Sequence, residues 1–152
     1  MILYYSRSKK TKVFADALGE ILNCEIYELH SELNDKTTIG FLLKALSLAF
    51  SGKSYPVTNM PQDMPPEIYL CAPVWGGQMA SPVKFFLENA NLTNTTVNVL
   101  LTASVPVEKY KIAALDSLNK IPCKPGRAFI FATSDKSNPE IEVIKEQLRE
   151  ML

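Results

Sequence analysis

The chain has 152 residues, 47% of them hydrophobic and 21% charged, enough for one domain spanning 1–152 around a sizeable single core. Sixteen Lys and Arg balance sixteen Asp and Glu, which excludes a global field for nucleic acid or an anionic membrane and leaves any anion site to be local. Cys24, Cys71 and Cys123 are odd in number, far apart and without metal-ligand spacing, which points to a reducing compartment rather than a disulfide framework or a zinc site.

"MILYY" (1–5) is a short apolar run with the look of a strand buried on both faces. It turns polar too soon for a signal peptide, so a cytoplasmic location is expected. After the loop "SRSKKT" (6–11), Val13, Phe14, Ala17, Leu18, Ile21 and Leu22 recur at helical spacing. "CEIYEL" (24–29) has the mixed polarity of an edge strand. A polar loop (30–38) leads to "IGFLLKALSLAF" (39–50), which contains Lys44 and falls short of the roughly 20 residues of a spanning helix. It reads as a well-buried helix, although a subunit contact accounts for its apolarity equally. The Pro- and Ser-rich stretch 51–66 reads as a loop.

"EIYLCAPV" (67–74) is the next strand, and "SPVKFFLENANL" (81–92) opens a helix with proline in its first turn. "TVNVLLTA" (96–103) is a strand, 107–119 a helix and "RAFIFAT" (127–133) a strand. The closing helix (137–152) has Asn138 as its cap, Pro139 in the first turn and Ile141, Ile144 and Leu148 as its inner stripe. Five strands alternating with five helices predict an α/β fold, a three-layer sandwich around a parallel sheet, because parallel connections need crossovers. For five strands the common order is 2-1-3-4-5, and ligands sit beyond the carboxyl ends of strands 1 and 3.

Three loops therefore matter. In 6–11, hydroxyls of Ser6, Ser8 and Thr11 join the cations Arg7, Lys9 and Lys10 at a helix start, which suits a phosphate. A helix start capped by Ser8 among solvated lysines explains the same residues. In "APVWGGQMASP" (72–82), the single tryptophan, Trp75, precedes Gly76 and Gly77, an arrangement suited to stacking on a planar ring or to covering the sheet end. The third loop, "ASVPVEKY" (103–110), says little, and its Tyr110 is compatible with a helix surface.

These two richer segments carry a resemblance over essentially the whole chain. "YYSRSKKTKVFADAL" is similar to the phosphate loop of flavodoxin-like proteins, and "APVWGGQMASPVKFFLE" resembles their second flavin loop, a small residue and proline ahead of an aromatic-glycine turn. The resemblance implies the flavodoxin-like 2-1-3-4-5 fold with flavin mononucleotide (FMN) as cofactor. Its phosphate would lie on Ser6, Arg7, Ser8, Lys9, Lys10 and Thr11, and its ring against Pro73, Val74, Trp75, Gly76 and Gly77. Ala103 and Ser104 would border the ring from the third loop.

Lys9 stands at the family's glycine position, where a left-handed backbone would cost a lysine about 1–2 kcal/mol. A lysine–phosphate contact would offset this cost. The function implied is FMN-dependent electron transfer or reduction of a small acceptor, with a quinone, a nicotinamide donor or a redox protein as partner. The balanced charge differs from strongly acidic electron shuttles and favours the small molecule. The alternative is a cofactor-free binding or regulatory module on the same fold. Ser104 lacks a histidine partner, and His30, the single histidine, reads as a loop residue. No Walker loop or acidic metal cluster supports a phosphate-ester hydrolase.

Overall fold

The computed structural model describes residues 1–35, 37–133 and 141–152. Strands β1 (Ile2–Tyr4), β2 (Ile26–Glu28), β3 (Glu67–Trp75), β5 (Thr96–Ala103) and β6 (Lys124–Ala132) form a sheet in the order β2-β1-β3-β5-β6, all parallel. The two-residue β4 (Gln78–Met79) folds back antiparallel on β3. Counted without β4, the order is the expected 2-1-3-4-5. The helices are α1 (Lys10–Leu22), α2 (Thr38–Ser51), α3 (Ser81–Asn89), α4 (Glu108–Leu118) and α5 (Ile141–Met151), with a short 3-10 turn at Glu32–Asp35. The expected Asn138 cap and Pro139 lie outside the described residues.

Alternation along the strands divides the core in two. Tyr69 and Cys71 of β3 join Ile2 and Tyr4 beneath Phe14 and Leu18 of α1 and Ile144 and Leu148 of α5. Ile68, Leu70 and Ala72 face the opposite way, onto Val83, Phe86 and Leu87 of α3 and Ala114 and Leu118 of α4. This period of two, with both faces covered, is what a parallel sheet requires. Ile141 of the predicted stripe is instead exposed, because the inward stripe of α5 is centred on Ile144 and Leu148. Strand β6 also begins earlier than its sequence suggests. As an edge strand it tolerates Pro125, and Asn98 fills its bulge by accepting the Arg127 N–H at 2.9 Å.

Burial pushes the thiol of Cys71 upward, far from its reactive thiolate form. Thiol reagents are accordingly expected to modify the half-buried Cys24 and Cys123 in the native state and Cys71 only after unfolding. Labelling followed by peptide mass spectrometry reads this directly.

The largest departure from the sequence reading is α2. Among the described residues neither apolar core contains one of its side chains, and of its residues only Ala45 and Leu48 are buried. The long 51–66 loop does the packing expected of the helix. Val57 is buried in the core beneath α3 and α4, with Met60 and Met64 against it. Asn59 clamps the loop to the exit of β2, donating to the Glu28 carbonyl at 2.7 Å and accepting the His30 N–H at 2.6 Å. With that place taken, α2 rides over the β3–β4 hairpin, where Phe41 and Ala49 meet it.

Candidate functional site

The chain leaves β1 through Tyr5, which is fully buried, and Ser6, which is 7% exposed. The Ser6 hydroxyl is buried and has no hydrogen-bond partner among the described residues. Burying a hydroxyl without a partner is costly, so the position is poised for an acceptor that the described residues do not supply. Lys9 adopts φ 63°, ψ −2°, the left-handed conformation that the family glycine would take freely. It occupies the cap position of α1 and makes no side-chain capping bond. Ser8 is therefore not the cap, and a helix start of this kind suits an anion. No acidic residue lies in the first turn of α1. None occurs in 5–11, 73–78 or 103–107 either.

The left-handed strain has a measurable consequence. Lys9→Gly is expected to raise the stability of the ligand-free protein by about 0.5–1 kcal/mol, the relieved strain outweighing the added freedom of the unfolded chain. Urea unfolding measures it.

Thr11 is 2% exposed, and its hydroxyl lies 2.8 Å from that of Thr102 near the end of β5. This bond ties the start of α1 to the carboxyl end of a strand two places across the sheet. Thr11 thus acts first as a brace. Lys10 is half-buried, while Ser8 and Lys9 are exposed.

Strand β3 continues through Pro73, Val74 and Trp75, so these residues belong to the strand rather than to a loop. Pro73 lies past the last β1 partner, Tyr4 opposite Cys71, so its missing N–H breaks no ladder bond on that side. Trp75 pairs with Gln78, and the intervening Gly76 and Gly77 have φ 57° and 86°. Positive φ at both central residues is the type I′ hairpin turn, whose twist matches the strands it joins. The turn is tightly covered: a Cβ on Gly76 would lie 2.9 Å from that of Ala49 in α2.

Trp75 is not an isolated platform. Its ring meets Tyr5 edge-to-face at 5.6 Å and Phe41 of α2 edge-to-face at 5.0 Å. The Arg7 guanidinium carbon lies 3.9 Å from the centre of the Phe41 ring. Arg7, Phe41, Trp75 and Tyr5 therefore bridge the first loop to the hairpin. Burial pushes the Tyr5 phenol up, against the opposing effect of Arg7, so Tyr5 stays neutral as a proton donor.

In the third loop Ala103 is buried, its carbonyl accepting the Thr133 N–H at 2.8 Å, while Ser104 is exposed. Tyr110 is half-buried against the core, with its Cε1 3.5 Å from the place of a Cβ on Gly77, so it borders the hairpin rather than an open helix surface. His30 is exposed beyond β2. The structure thus gathers Ser6, Arg7, Thr11 and Trp75 at the carboxyl end of β1, β3 and β5, and leaves Ser104 at the margin. Sequence reasoning missed Phe41 and Thr102. Phe41 lies in a uniformly apolar helix, and Thr102 in a strand whose pattern marks no site.

No protein-family model matches the chain, and no curated protein matches it significantly by sequence. Solved structures do resemble it. A Bacteroides uniformis protein thought to be a flavoprotein superimposes with a TM-score of 0.70 at 16% identity, over 98% of this chain and 96% of that one. A Lactobacillus acidophilus flavoprotein in complex with FMN gives a TM-score of 0.66 at 22% identity, over 85% and 90% of the two chains. Megasphaera elsdenii flavodoxin gives 0.55 at 13% identity, over 99% of each. At such identities the likeness establishes the fold.

Proposed function

We propose, from the flavodoxin-like fold that this chain adopts, that the protein binds FMN at the carboxyl end of β1 and β3 and serves in reduction of a small acceptor. The observation that carries this reading is the Ser6 hydroxyl, buried and without a hydrogen-bond partner among the described residues, beside an α1 start that Lys9 enters without a side-chain capping bond. A phosphate there would accept from Ser6 and from the α1 N–H groups, with Lys9 and Lys10 adding charge. Trp75, backed edge-to-face by the buried Tyr5, offers the planar ring an aromatic border. The FMN held by the Lactobacillus acidophilus protein of the same fold supports the choice of ligand.

Bound FMN would supply the electron chemistry; the chain would bind, orient and shield. No acid, base or nucleophile is required of the chain, which fits the exposed His30 lying beyond β2. A net charge of zero offers no steering toward a basic redox protein, which supports a quinone or a nicotinamide donor as the reacting partner.

One observation favours a second reading, a cofactor-free binding module. Phe41 leans on Trp75 beneath Arg7, so the chain's own side chains already engage the ring border. Titration separates the two readings. Under the first, FMN at a hundred times its Kd stabilises the fold by about 2.7 kcal/mol, and riboflavin, which lacks the phosphate, binds more weakly. Absence of any melting shift with excess FMN establishes the second. Ser6→Ala removes a bond to a charged acceptor and is expected to weaken FMN roughly ten- to a hundredfold while leaving riboflavin unchanged. Equal losses for both ligands would place the phosphate elsewhere.

A further inference from the structure

We infer that α2 is the contact helix of a symmetric homodimer, pairing through its outward apolar stripe with the same helix of a second copy. Ile39, Leu42, Leu43, Leu46 and Phe50 are exposed, from 45% at Leu46 to 89% at Phe50. They make up half of the ten exposed large hydrophobics among the described residues, concentrated on one helix. Their spacing (i, i+3, i+4, i+7, i+11) places them on a single stripe, the pattern by which helices pack together. The opposite flank, with Phe41, Ala45 and Leu48, faces the molecule.

The helix is firmly defined at both ends. Thr37 caps its start by accepting the Gly40 N–H at 3.2 Å. Gly52 ends it at φ 66°, and the Gly52 carbonyl accepts from the Lys84 ammonium of α3. A fixed, apolar, outward helix face is costly to leave in water.

Three features select a second copy as the occupant. First, the stripe contains no charge. Lys44, the single charged residue between Thr38 and Ser51, lies off it, 5.9 Å from the Tyr55 ring centre. A neutral stripe is complementary to itself, and chains of zero net charge do not repel one another over distance. Second, the stripe exposes on the order of 500 Å², most of the roughly 800 Å² that each partner contributes to a stable interface. The exposed Thr38 and Ser47 beside it supply a polar rim. Third, an antiparallel pairing of two copies brings the stripe onto itself, with Leu43 opposite Leu46 and Leu42 opposite Ser47. A two-fold axis between Leu43 and Leu46 sets Ile39 of one copy toward Phe50 of the other, as an isologous contact demands. At 14 residues the helix is too short to span a bilayer.

This inference stands apart from the flavin reading, because the stripe and the ring border lie on different flanks of α2. Sedimentation equilibrium of the full chain, with and without FMN, tests it. The expected mass is twice 17.0 kDa. Leu43→Glu/Phe50→Glu is expected to give the monomer, with at least a hundredfold weaker self-association and unchanged circular dichroism, since both side chains are already exposed. Ile112→Glu, an exposed site on α4, should leave the dimer intact. A wild-type monomer at high micromolar concentration overturns the inference, as does a double variant that remains dimeric. Sedimentation of a wild-type monomer with phosphatidylcholine vesicles would overturn it in favour of a lipid surface.

Discussion

Trp75→Ala is expected to weaken FMN binding by roughly ten- to a hundredfold, the range set by about 1–3 kcal/mol for a planar heterocycle against an aromatic side chain. The residue is held rather than loose. It ends a central strand, pairs with Gln78 across the hairpin, and meets Tyr5 and Phe41 edge-to-face. Truncation therefore also removes part of the packing that carries α2. Trp75→Phe separates the two effects by keeping an aromatic ring at the position. Flavin fluorescence titration and urea unfolding read affinity and stability independently. Full affinity in Trp75→Ala would remove the tryptophan from the site, and with it the ring half of the proposal.

The hairpin beside it supplies the second prediction. Gly76→Ala is expected to destabilise the fold by about 2–4 kcal/mol, combining left-handed strain with overpacking. Its Cβ would lie 2.9 Å from the Cβ of Ala49, closer than two such atoms approach, and neither can swing aside. Among the described residues Gly77→Ala meets only Tyr110 at 3.5 Å, an ordinary contact, so it should cost the strain alone, about 1–2 kcal/mol. Adding Ala49→Gly to Gly76→Ala should recover the overpacking share, a coupling that a double-mutant cycle isolates. Equal losses at Gly76 and Gly77 would mean that α2 does not press on the hairpin.

The hairpin, α2 and Arg7 also explain how a site assembles in a chain without net charge. Two loops from neighbouring strands approach each other because the parallel sheet sets β1 beside β3. A third element, α2, leans across both by placing Phe41 between Arg7 and Trp75. The phosphate half of the proposed site is built from local sequence. Its proposed ring half depends on how α2 lies.

That division matches what could be read without coordinates. Strand and helix alternation, the parallel order and the edge position of β2 were legible because periodicity of two or 3.6 is written into each segment separately. The left-handed backbone at Lys9 was legible only as a condition set by the resemblance, which places Lys9 where flavodoxin-like proteins have glycine, and the structure shows it at φ 63°. The hairpin glycines announced a turn, although the two-residue β4 was too short to show.

Contacts between segments distant in the chain were not legible. Thr11 meets Thr102 across 91 residues, and no local pattern pairs them. The apolar 39–50 helix was expected inside, because hydrophobicity reports that a surface seeks cover and not which surface provides it. Only the tertiary structure showed that Val57, Met60 and Met64 cover the core instead, leaving α2 with one flank on the hairpin and the other in water. The local sequence specified the elements and the hydroxyl- and lysine-rich first loop; competition among apolar segments for one sheet face decided where the helix came to rest.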